Sequence, residues 1–203
     1  MKLYQSINIS TILFIGAALT KGLVDTFSKV NTSIYDFLVQ NPSIFCLSLF
    51  ILGFKIKTML DDQQHFGEVH QDSGSIYRHL GFILAVLSWI LLGIAAYYIS
   101  FPKKSAELLI FSLVISTVWI AIHIIEILLD KNKERKIKEI VISLTREKWL
   151  LINIGYILLL GTYRGWLDPV IATGNIVVLY SLLGLLFIDY VTSRPKTITN
   201  TTK

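Results

Sequence analysis

Hydrophobic residues arrive in long runs rather than in alternation. Residues 7–27, 43–60, 80–100, 107–130, 149–166 and 170–191 are each dominated by Ile, Leu, Val, Phe, Ala and Gly, with polar residues gathered between them. Runs of about 17 to 25 apolar residues match the hydrocarbon core of a bilayer, about 30 Å at 1.5 Å of rise per helical residue. At that depth no water satisfies the backbone, so each run is expected to be a helix. A β-barrel would need short segments of alternating polarity, which the pattern lacks. The expectation is an all-α, polytopic transmembrane bundle of about six spans, one domain over 1–191, followed by a disordered Thr/Asn-rich tail at 192–203. Met1-Lys2 is a thin basic region before the first run, and Gly16-Ala17-Ala18 leads into Lys21, which favours a retained span over a cleaved signal peptide.

Three connections have patterns of their own. Between the first two runs, Phe27, Val30, Ile34, Phe37 and Leu38 recur at helical spacing, so the first helix either continues or lies along the interface until Asn41-Pro42 resets the chain. Residues 61–79 are polar, contain glycine, and form the longest irregular candidate. The link 131–148 carries seven basic residues and sets Ile137, Ile140, Val141 and Leu144 on one helical face. That combination suits an amphipathic helix on the membrane surface, its cations toward anionic lipid headgroups.

Composition agrees with lipid as the main solvent: 53% of the 203 residues are hydrophobic, 16% are charged, and the mean hydropathy is +0.61. Of the 19 Lys and Arg, all but Lys21, Lys29, Lys103, Lys104 and Arg164 fall on one side of a six-span topology. Basic loops stay cytoplasmic, which predicts both termini inside and a multi-pass protein of a bacterial-type inner membrane. The net charge of +5 is thus a topology signal, and no nucleic-acid partner is expected. Cys46 is the sole cysteine, which excludes an intramolecular disulfide and any zinc site built on several cysteines.

Polar groups at membrane depth cost on the order of 3 kcal/mol when charged, so function is sought there. In the fourth run Ser112, Ser116, Trp119, His123, Glu126 and Asp130 are spaced three or four apart, a single stripe on a helix. Such a stripe faces other helices or water, because acyl chains cannot solvate it. His123 and Glu126 lie within hydrogen-bonding reach along the helix, a pairing suited to proton relay or cation binding, or to a packing network between helices. Lys55, Lys57 and Asp189 fall at comparable depth on the same side. Snorkelling of both lysines to the headgroups is the simpler expectation, with an ion pair to Glu126 or Asp189 as the alternative. Lys21 and Asp25 are spaced for an ion pair within the first helix.

Asp61, His65, Glu68 and His70 gather carboxylates and imidazoles after the second run and are weak candidates for a divalent cation, although their spacing matches no metal motif. Axial haem ligation by His79 and His123 would require the two to face each other across helices, and no cofactor is expected. No nucleophile with a dedicated base, phosphate-binding glycine loop or zinc-protease helix is present. The functional expectation is a channel or transporter for a small ion or solute, with a path along the fourth span and self-association into a homo-oligomer. The alternatives are a membrane subunit or pore-forming effector acting through a protein partner, and a membrane-embedded metal-dependent enzyme.

Overall fold

A computed structural model describes residues 2–28, 34–68, 76–129, 133–166 and 176–192; within its helices the side chains of 2–6, 34, 38, 60–68, 76–79, 123, 126–129 and 133–147 are not described. The chain is all-helical, with no strand among the described residues. The helices are α1 (Lys2–Phe27), α2 (Ile34–Gln40), α3 (Pro42–Glu68), α4 (Ile76–Tyr97), α5 (Pro102–Leu129), α6 (Lys133–Arg164) and α7 (Ile176–Thr192). A short 3-10 turn, Tyr98–Ser100, joins α4 to α5.

Four helices are long and apolar enough to cross a membrane: Ile7–Phe27, Pro42–Met59, Leu80–Ser100 and Pro102–Ile122. The apolar parts of α6 (149–164) and α7 are shorter, about 24 to 26 Å at 1.5 Å per residue. Three helices carry apolar outward stripes: Ile83, Leu87 and Ile90 on α4, Phe111, Val114, Val118 and Ile125 on α5, and Leu151, Ile154 and Leu158 on α6 are all exposed. Each set recurs at helical spacing, forming continuous apolar stripes far larger than a water-facing surface tolerates. Such faces suit the interior of a membrane better than water.

Local chemistry sets the boundaries. Asn41 closes α2 by donating from its backbone N–H and from Nδ2 to the Phe37 carbonyl, both at 2.9 Å, while its own carbonyl accepts from Ile44 to start α3. Pro42 occupies the first turn of α3, where a missing N–H costs nothing. Pro102 opens α5 in the same way. Across that hairpin the Ser105 hydroxyl donates to the Ala95 carbonyl at 2.9 Å, satisfying a group that the end of α4 leaves open. At the end of α6, Gly165 has φ 87°, Trp166 N–H donates to the Gly161 carbonyl and Gly165 N–H to that of Thr162. This is a Schellman cap, whose left-handed position favours glycine.

The helices close a ring in which α1 packs on α4, α4 on α5, α5 on α6, α6 on α7 and α7 on α3, which returns to α1. Of the four apolar spans α3 is the most enclosed, with half of its residues buried against about a fifth for α1. Cys46, Leu47, Phe50, Ile51 and Phe54 form its inward face. Phe50 and Phe54 stack at 5.6 Å between centroids, and both meet Tyr156 of α6 edge-on at 5.1 and 5.9 Å. Gly22 lets α1 come close to the end of α4: a Cβ there would lie 2.7 Å from the Tyr97 carbonyl oxygen.

Two sequence expectations differ from the structure in helix length. Residues 61–68, expected to be irregular, continue α3, because Leu60, Gln63, Gln64 and Glu68 are good helix formers and no proline intervenes. The 131–148 link and the fifth run, expected as separate elements, form the continuous helix α6 from Lys133, since Arg146-Glu147-Lys148 contains no helix breaker. The side chains that would make the link amphipathic, 133–147, lie outside those described, as does the tail from residue 193.

Candidate functional site

Two polar nodes lie at one end of the bundle, on different sides of α3. Lys55 and Lys57 are two residues apart, about 200° around a helix, so one cannot serve the site of the other. Both are enclosed by protein, at 2% and 5% exposure. Neighbouring helices cover this stretch of α3, so both ammonium groups meet protein, and for Lys57 the partner is Asp189, the ion pair named as the alternative to snorkelling.

On the first side, Lys55 Nζ donates to Asn8 Oδ1 of α1 at 3.2 Å and sits 3.8 Å from the centroid of the Trp89 ring of α4. The cation thereby gains a dipole and a π face in a low-dielectric setting, where each is stronger than in water. Asn8 is itself buried, and its Nδ2 amide group has no hydrogen-bond partner among the described residues.

On the second side, Lys57 Nζ lies 2.9 Å from Asp189 Oδ2 of α7, with side-chain exposures of 7% and 2%. The same carboxylate oxygen accepts from the Tyr156 hydroxyl of α6 at 2.9 Å. The Trp149 ring centroid is 5.1 Å from the ammonium. One carboxylate thus ties α3 to the α6–α7 pair at the far end of the sequence. Bringing both charges out of water is costly, and the short pair with its additional hydrogen bond from the phenol helps to offset that cost.

The α5 stripe divides between described and undescribed groups. Ser112 is fully buried and locked to α4: Ser88 Oγ donates to the Ser112 carbonyl at 2.9 Å, and Ser112 Oγ donates to the Ser88 carbonyl at 2.8 Å. Ser116 accepts from Asn153 Nδ2 of α6 at 3.4 Å. Trp119 packs over Gly81 of α4, where a Cβ would lie 2.5 Å from the indole nitrogen. The upper part of the stripe therefore lies between helices of one chain, its hydroxyls joined to neighbouring helices. His123 and Glu126 continue the same helix, but their side chains are outside the described set, and Asp130 lies outside it altogether.

At the other end of the bundle Lys21 and Asp25 form an exposed ion pair on α1. Arg164 reaches Glu107 at 3.4 Å, joining the end of α6 to the start of α5. Asp61, His65 and Glu68 lie on the last turns of α3 with side chains outside the described set, and His70 lies outside it entirely. Among the described residues no group of three His, Cys, Asp or Glu converges on a metal-sized site.

Asn8, Trp89, Tyr156, Ser88 and Asn153 belong to these nodes although sequence analysis did not single them out. Their signal is visible in hindsight as polar or amphipathic groups inside apolar runs, as in Leu150-Leu151-Ile152-Asn153-Ile154-Gly155-Tyr156. Attention to formal charge passed over them. No protein-family model, no curated protein and no solved structure matches the chain.

Proposed function

We propose that this chain is a multi-pass membrane transporter or channel for a small ion or solute, and that the Lys57–Asp189–Tyr156 node is its charge-handling centre. In this proposal α6 and α7 act as shorter fifth and sixth spans, and both termini are cytoplasmic, as the Lys and Arg distribution favours. The observation that carries the proposal is the buried 2.9 Å ion pair between α3 and α7. Charges enclosed within membrane helices are rare and costly, and they commonly mark ion pathways and proton relays. A pair of opposite charges can separate when a proton or a permeant ion takes the place of one partner, which changes how the helices carrying them hold together. Tyr156, hydrogen-bonded to the same oxygen, holds the carboxylate toward α6 in the paired state.

Flux into proteoliposomes tests it. Vesicles with the wild-type chain should pass protons, potassium or a small osmolyte faster than protein-free vesicles, read with pH- or potassium-sensitive dyes and by osmotic swelling. Asp189→Asn and Lys57→Gln should each reduce that flux at least ten-fold. Wild-type vesicles no leakier than empty ones to any of these probes would overturn transport. Wild-type flux in Asp189→Asn would remove the pair from the mechanism, and Glu126→Gln in the same assay would then ask whether the α5 stripe carries it.

A further inference from the structure

The end of the bundle opposite the buried lysines holds a cavity of about 550 Å³, between the start of α5 and the end of α6. A volume of this order suits a small molecule or the head of a larger one. Its lining has one charged rim and one apolar wall. The rim carries Lys103, Lys104 and Arg164 against a single carboxylate, Glu107, so among the described lining residues cations outnumber anions three to one. The apolar wall is built by Leu108 and Phe111.

Three details make this more than a basic surface. Arg164 spends only one terminal nitrogen on Glu107, at 3.4 Å, and its Nε–H is buried with no hydrogen-bond partner among the described residues. A buried donor next to a cavity is a vacancy for an acceptor oxygen. Lys104 is held over the Tyr98 ring, 4.3 Å from ammonium to centroid, which fixes that cation at the rim. Phe111 follows Glu107 by four residues on the same helix face, about 6 Å further along the axis, and is 49% exposed, beside the apolar stripe of α5. Charged rim and apolar wall therefore succeed one another along the direction in which a lipid passes from phosphate to hydrocarbon.

We infer that this cavity binds one anionic phospholipid, its phosphate among Lys103, Lys104 and the Arg164 guanidinium and an acyl chain along Leu108 and Phe111. A phosphate supplies the acceptor oxygens that a guanidinium fork is shaped to take. The tail supplies the apolar contact that a free anion lacks. The inference needs only that this end of the bundle meets the headgroup layer, and it stands or falls separately from transport.

Native mass spectrometry of the detergent-purified full chain tests it, with phosphatidylglycerol and phosphatidylcholine of identical chains as competing probes and inorganic phosphate as a third. The wild type should retain one phosphatidylglycerol in preference to phosphatidylcholine. Lys103→Gln/Lys104→Gln, at two exposed positions, should weaken that retention on the order of 30-fold, as expected for losing two cations beside an anionic lipid. Arg164→Gln should weaken it independently. Equal retention of the two lipids in the wild type would overturn the inference. So would unchanged preference in the double variant, which would assign the anionic lipid to the basic 131–148 segment. Full displacement of phosphatidylglycerol by inorganic phosphate at equal concentration would also overturn it, showing a site for the free anion.

Discussion

Removing Asp189 separates the energetic role of the buried pair from any role in flux. Asp189→Leu leaves the Lys57 ammonium, 7% exposed, facing a methyl group where a carboxylate stood 2.9 Å away. Breaking a buried pair by deleting one partner costs about 3–5 kcal/mol. The Trp149 ring at 5.1 Å retains part of the cation's stabilisation, which places the expected loss near the lower end, about 3 kcal/mol. Cys46 provides the assay. It is the sole thiol, is fully buried in α3, and reacts with a fluorogenic maleimide only when the bundle opens. For a chain of this size about 3 kcal/mol lowers Tm by roughly 6–12 °C. The triple variant Lys57→Met/Asp189→Leu/Tyr156→Phe removes both charges and the phenol that would otherwise lose its acceptor. Well-packed apolar replacements of a buried pair are neutral or stabilising, so its Tm should return to within about 4 °C of the wild type or exceed it. Flux should remain absent. A Tm loss under about 2 °C in Asp189→Leu, or a triple variant as unstable as the single one, would refute the assignment of this pair to the bundle interior.

Three further substitutions probe how the scaffold is held. Gly22→Ala places a Cβ 2.7 Å from the Tyr97 carbonyl oxygen and 2.9 Å from that of Ala96, so α1 must shift, at about 1–3 kcal/mol; Cys46 labelling should begin several degrees earlier, and an unchanged profile would mean α1 is not seated there. Ser112→Ala removes the hydroxyl that donates to Ser88 and should cost about 0.6–1.7 kcal/mol, the range for interhelical hydrogen bonds in membranes, with flux retained; lost flux at wild-type stability would instead place Ser112 on the permeation path. Gly165→Ala forces an L-residue to φ 87° and should destabilise by about 1–2 kcal/mol, with Gly165→Asn milder, both read by thermal unfolding; equal stability of all three would contradict the cap.

Local relations were legible in the residues themselves. Apolar runs of bilayer length mark the four helices long and apolar enough to span, because helicity at that depth is required by backbone hydrogen bonding and not by propensity. Asn41-Pro42 marks a boundary through the side-chain and backbone chemistry of two residues, and Lys21 and Asp25 pair through a four-residue spacing. What escaped depends on neighbours remote in the chain. For Lys57 the sequence offers both snorkelling and an ion pair to Glu126 or Asp189, and only the packing of α7 against α3 selects Asp189. Lys55 reads the same way unless Asn8 and Trp89 are placed beside it. The continuation of α3 past Asp61 and the merging of the 131–148 link into α6 follow from runs of helix-favouring residues without proline, a signal that polar composition masks.

The central claim is that Lys57 is held inside a membrane-embedded bundle by Asp189 rather than drawn to the headgroups. An experimental density map of the full chain in a lipid nanodisc, at side-chain resolution, measures this directly. It should show α1, α3, α4 and α5 crossing the disc, with the Lys57 ammonium near 2.9 Å from the Asp189 carboxylate and the Tyr156 hydroxyl on the same oxygen. A map in which Lys57 extends to the phosphate layer, or in which Asp189 faces acyl chains on the outside of α7, would contradict it.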